Sequence, residues 1–159
     1  MTLIGFFQWC EGSLVGSAIR TSPWAFAVIE SVHLLGLAVI GGAVLIVDMR
    51  LLGLGLRDQT VKDVARAAQP WLVGSLIVML LSGGALFSSE SIKCYYSTPF
   101  WVKMISLFLA MIFTFTIRQR VIFADGTTMR PVLYKLVALI SLGLWFGVGA
   151  GGRWIGFSG

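Results

Sequence analysis

The stretch PWAFAVIESVHLLGLAVIGGAVLIVDMR, residues 23–50, decides how this chain is read. From Trp24 to Val47 it is almost wholly apolar. At helical rise that run is about 36 Å long, enough to cross a bilayer core with some tilt. Glu30 and His33 break the apolar run. They lie three residues apart and so share one helical face. Ionisable groups inside a membrane span are costly, and usually face protein or a cavity rather than lipid. His33 is also the only histidine in the chain. The rest of the sequence is therefore read as scaffold for this face or as partner to it.

Composition places the chain in the same class. Hydrophobic residues make up 57% of its 159 positions and charged residues 12%, with a mean hydropathy of +0.90. A soluble domain carries about 25% charged residues, so this is a membrane chain of one compact domain. The net charge of +5 does not point to nucleic acid, because the basic residues flank apolar runs. No basic segment precedes the first apolar stretch, and no lipidation motif is present, so neither a signal peptide nor a lipid anchor is expected. Cys10 and Cys94 form no CxxC or Cys/His cluster, which argues against structural zinc.

The four prolines, Pro23, Pro70, Pro99 and Pro131, each stand at the head of a long apolar run. Proline suits the first turn of a helix, where its missing N–H is not needed. Spans are thus predicted at 23–49, 70–88, 99–119 and 131–151, with Ser22 and Thr98 as N-caps. Residues 2–20, interrupted by Gln8 and Glu11, read as an interfacial helix. Its Gly12–Gly16 pair either permits close approach to a neighbour or only marks a pliant terminus. Thr60 and Asp63 resemble a capping box, and Val61, Val64, Ala65 and Ala68 share one face. That segment reads as a short amphipathic helix on the membrane surface. The fold class expected is an all-α integral membrane protein, a four-transmembrane-helix bundle with an N-terminal interfacial helix and a short amphipathic surface helix. Gly143, Gly147 and Gly151 make one smooth ridge for packing against another helix, within the chain or on another subunit.

Charge bias sets the expected orientation. The loops after spans one and three hold 8 lysines and arginines (Arg50, Arg57, Lys62, Arg66, Arg118, Arg120, Arg130 and Lys135). The opposite side holds 4, namely Arg20, Lys93, Lys103 and Arg153. The positive-inside rule then places both termini outside the cytoplasm. Cys10 and Cys94 fall on that outer side, where an oxidising compartment permits a disulfide between them. Glu30, His33 and Lys103 fall in the outer half of the bundle, where Lys103 would be the counter-charge to Glu30, unless it snorkels outward.

Four readings of this buried polar cluster compete. The first is structural: His33 hydrogen-bonds a neighbouring helix and Glu30 pairs with Lys103. The second is a haem b or copper site at His33, with Met79 or Met104 as the soft partner ligand. The third is a proton relay through Glu30 and His33. The fourth is capture of an anionic or quinone-like molecule near Lys103. Nothing resembles a phosphate-binding loop, GxSxG or HExxH, so neither a hydrolase nor a nucleotide-driven pump is indicated.

Three pieces carry a resemblance: HLLG at 33–36, DMRLLG at 48–53 and FWVK at 100–103. Over about residues 5–120, with GRWIGF near the end, the chain resembles a family of small bacterial four-helix membrane proteins of unassigned function. That family is similar in layout to the membrane domain of CopD-like copper-resistance proteins. More distantly, a first-helix histidine and a third-helix lysine resemble HemJ-type haem-linked proteins, which implies a role for His33 and Lys103. Family members often carry a second histidine near the end of the third span, where this chain reads FTFTIRQR and has none. The function expected is a non-catalytic accessory subunit of a bacterial inner-membrane complex, by resemblance a redox or energy-converting one. Its partners are the bilayer and other membrane subunits or copies of itself, with no cofactor in this chain alone. The alternative is a haem- or copper-handling protein using His33.

Overall fold

The computed structural model describes residues 2–56, 58–124 and 131–155. Arg57 and Arg130, two of the charges that set the expected orientation, and Gly156–Phe157 of the GRWIGF match lie outside them. Among the described residues every regular element is helical. Two short helices, α1 (Leu3–Glu11) and α2 (Leu14–Thr21), lead into α3 (Ala25–Leu52) and α4 (Val61–Ser89). A short α5 (Ser91–Tyr96) precedes α6 (Thr98–Phe113), which runs through a π-helical turn, Thr114–Arg118, into α7 (Gln119–Phe123). The last helix is α8 (Pro131–Ile155). Four rods, Ala25–Leu52, Val61–Ser89, Thr98–Phe123 and Val132–Ile155, are long and apolar enough to cross a membrane. The all-α four-helix class expected from the sequence is the one observed.

Helix α3 is the centre of the bundle. Ile40, Val44, Val47 and Leu51 recur at helical spacing on one face and are buried against α4 and α8. Helix α8 packs in turn on α6. The helices therefore run α4, α3, α8, α6 around the bundle, and α4 and α6 pack on one another only sparsely. The outward faces keep large apolar side chains such as Leu35, Phe108 and Phe146 exposed, as lipid contact requires. We call the end that carries α1, α2 and α5 the near end, and the end where α3 passes to α4 the far end.

Several sequence expectations need correction. The segment 2–20 is two helices, because the chain breaks at Gly12 and Ser13 caps α2, accepting from the Gly16 N–H at 3.2 Å. Gly12 and Gly16 thus form no single-helix pair. Gly16 nonetheless lies so close to the Ser88 carbonyl that a Cβ there would collide with it. The amphipathic segment is the first part of α4, with Pro70 inside the helix rather than at its head. Its apolar face does not lie on lipid: Val64 and Ala68 are buried in the core. In an intramembrane helix neighbouring groups re-satisfy what proline leaves unbonded, so the rod continues. Thr60 caps α4, accepting from the Asp63 N–H at 3.1 Å. Ser22 accepts from the Ala25 N–H at 3.3 Å, whereas Thr98 lies inside α6 and Ser97 takes the cap position.

Candidate functional site

Between α4 and α6 the bundle encloses a cavity of about 400 Å³. That lies within the range of about 300–1,000 Å³ usual for small-molecule sites. Its walls are mainly apolar, with Leu80 and Gly84 from α4 facing Met104 and Leu107 from α6. Its floor is formed by Ile40 of α3 and Trp145 and Val148 of α8. At the near end the rings of Phe87 and Phe100 stack with centroids 5.7 Å apart, joining the two walls. Phe7 of α1 caps that stack, 5.2 Å and edge-on to Phe87. Toward the far end the Trp145 Nε1–H donates to Thr114 Oγ1 at 3.1 Å. The Phe87–Phe100 stack thus closes the near end, and beyond it α4 and α6 stand apart along the cavity.

The polar groups in this cavity are His33 and Lys103. The orientation of each hydrogen bond follows from the last partner in the chain. Ser82 Oγ donates its proton to the Val78 carbonyl at 2.6 Å. It therefore accepts from His33 Nδ1–H at 2.8 Å. That leaves His33 Nε2 as the bare acceptor, and Lys103 Nζ lies 3.5 Å from it, a long hydrogen bond. Glycines make the room. A Cβ at Gly83 would stand 3.1 Å from His33 Cε1, and one at Gly151 would stand 3.1 Å from Lys103 Cβ. The end of the lysine stem passes Gly152, where a Cβ would stand 3.5 Å from Nζ.

The predicted cluster thus divides. His33 and Lys103 meet, but Glu30 is exposed and forms no ion pair with Lys103. Residues three apart on a helix still differ by roughly 60° around its axis. His33 takes the inward edge of the face and Glu30 the outward one. Met79 is buried and Met104 half-exposed, and both line the cavity. The glycine ridge divides likewise: Gly147 lies against Ser106 and Gly151 against Lys103, while Gly143 is exposed with open space beside it. The disulfide allowed by the shared side of Cys10 and Cys94 is not formed; both are free thiols, Cys10 buried and Cys94 half-buried. Burial pushes the Cys94 thiol up to about 11, with the charge of Glu90 adding to the effect.

With this geometry in view, comparison with known proteins gives one match. A family of unknown function, DUF6644, matches residues 6–158. The chain belongs to this family. No curated protein and no solved structure matches it. The DUF6644 assignment covers all four rods but attaches no activity to His33 or Lys103, so a functional reading rests on the cavity itself.

This DUF6644 chain also holds a feature the sequence reading missed. Arg118 Nε donates to Asp48 Oδ1 at 2.8 Å, and both side chains are buried, 5% and 0% exposed. Arg118 also donates to the Val44 carbonyl at 3.3 Å. Ser141, fully buried on α8, sits on the Asp48 side. In the sequence Arg118 counts as a flanking loop charge and Asp48 as part of a family motif. The signal available was an acidic residue near the end of one apolar run and a basic one near the end of another. The π-helical turn ending at Arg118 is a local irregularity of the kind that re-aims side chains in functional or strained helices.

Proposed function

We propose that this chain is a non-catalytic membrane protein that holds a lipid-soluble molecule in the cleft between α4 and α6, its polar head at Lys103 and His33. The observation that carries this reading is the cavity itself: apolar walls on two helices that stand apart, and two convergent polar groups. A molecule already dissolved in the bilayer reaches such a site without crossing water. In this reading the chain lies in a bacterial inner membrane with both termini outside the cytoplasm, as the lysine and arginine bias indicates. It serves there as an accessory subunit that presents the bound molecule to a membrane partner.

Haem or copper at His33, the role implied by the CopD-like and HemJ-type resemblance, fits these residues poorly. The nitrogen free to ligate, Nε2, faces the charged Lys103 Nζ at 3.5 Å, and a metal cation there would meet a like charge. Among the described residues no three His, Cys, Asp or Glu side chains gather to help.

Native mass spectrometry of the purified chain, read with its visible spectrum, tests the proposal. One bound organic molecule per chain is expected. It should be lost in Gly84→Trp, which fills the cavity from a position with open space, and kept in Gly143→Trp, which is equally open but outside the cavity. A Soret band or stoichiometric copper would instead overturn it in favour of the metal reading.

A further inference from the structure

We infer that the head group held in this cleft is anionic, a carboxylate or phosphate at the end of a single apolar tail. The inference rests on the binding function proposed above and names the class of ligand. The hydrogen bonds of the site run one way. Val78 accepts from Ser82, Ser82 from His33, and His33 from Lys103. The chain ends on an ammonium, which has three donors and no acceptor. One donor is spent on Nε2, and two remain for the cavity. Glu30, the carboxylate the sequence offered as counter-charge, is exposed and unpaired with Lys103. Glu11, Glu90 and Asp48 are engaged elsewhere, with Arg20, Lys93 and Arg118 respectively. No carboxylate among the described residues forms an ion pair with Lys103.

The lysine is also laid against α8. Its stem lies along the trough that Gly151 and Gly152 leave on α8. His33, itself fixed by Ser82, holds the ammonium at the floor of the cavity. An anionic head accepts from both spare donors and matches the charge, whereas a neutral carbonyl accepts the donors and leaves the charge unmatched. Phe87 and Phe100 close the near end, so the tail leaves sideways past Leu80 and Met104 into the acyl region. His33 is a positioning residue in this arrangement, and Lys103 is the binding one.

Labelled oleate binding to the full chain in a non-ionic detergent tests the inference, with competition by unlabelled methyl oleate, oleyl phosphate and an oleyl-chain benzoquinone. Oleate or oleyl phosphate should compete at least about tenfold better than the ester or the quinone, the size of one charge-assisted contact. Whichever of the two anions competes better identifies the source of the charge. Lys103→Met should remove the preference for the anions, and Lys103→Arg should keep it. Equal competition by ester and acid on the wild-type chain overturns the anionic head, whatever the variants do. If Gly84→Trp then abolishes that equal binding, the cleft reading survives alone. If Gly84→Trp leaves it intact, or if no saturable binding is seen, both readings fall.

Discussion

Two cations inside the apolar layer, Arg118 buried and Lys103 half-buried, sit at opposite ends of the same bundle and are treated differently. At the far end Arg118 is matched: a carboxylate lies 2.8 Å away, a backbone carbonyl takes a further donor, and both side chains are sealed. At the near end Lys103 has an imidazole at 3.5 Å and a cavity beside it. The first arrangement is matched in charge and ties α3 to the third rod, although Asp48 Oδ2 is buried without a hydrogen-bond partner among the described residues. The second is incomplete in charge and lies where α4 and α6 stand apart, bridged at the near end by the Phe87–Phe100 stack. The contrast teaches where each pair acts: the matched pair holds the fold together, and the unmatched one is available to a ligand.

The sharpest way to break the comparison is to remove each cation in turn. Arg118→Met strands Asp48 in the apolar interior and should cost about 3–5 kcal/mol. Unfolding in mixed micelles measures it. Adding Asp48→Leu should recover most of that loss, since an apolar pair of similar volume is often neutral or better. A silent Arg118→Met would remove the far-end pair from the account. The glycine ridge comes next. Gly147→Leu forces bulk against Ser106 and should cost about 1–3 kcal/mol, whereas Gly143→Leu, in open space, should be silent. Equal effects at the two positions would mean that α6 and α8 are not in contact at Gly147.

Smaller effects belong to the near end. Lys103→Met removes one long hydrogen bond and strands no carboxylate, so its cost should stay near about 1 kcal/mol. Glu30→Gln should fall within about 0.5 kcal/mol of wild type, because Glu30 is exposed and forms no ion pair among the described residues. A large loss in Glu30→Gln would restore the Glu30–Lys103 pairing. The smallest effect is on rate alone. With the Cys94 thiol held up to about 11, its thiolate is scarce near neutrality. Alkylation of Cys94 should therefore accelerate about tenfold per pH unit from about pH 8 to about pH 10. A plateau near pH 9 would show an ordinary, unburied thiol.

Much of the fold is legible in the sequence because lipid imposes a simple rule. Four apolar runs of spanning length have few alternatives to four helices, and Pro99 and Pro131 mark two of their starts correctly. Pro70 misled because the capped amphipathic segment before it packs on the core, and a helix supported on both sides runs through a proline. The site was half legible. His33 and Lys103 stand out as rare ionisable residues in apolar runs, and depth alone suggested that they meet. Spacing could not say that Glu30 turns outward, because three residues leave it about 60° away. Nor could it reveal Asp48–Arg118, since each residue lies near a helix end where charges are ordinary. The cleft itself is invisible in sequence. It arises from sparse packing between α4 and α6, which no local pattern records.

The most direct test is the unfolding midpoint of the wild-type chain, Lys103→Met and Arg118→Met, each with and without saturating oleate. A ligand at about a hundredfold over its Kd stabilises by about 2.7 kcal/mol. The account predicts a raised midpoint in the wild type and none in Lys103→Met. Arg118→Met should start lower and rise by the same increment. A wild-type midpoint that does not move, or a Lys103→Met midpoint that rises as far as the wild type, would contradict it.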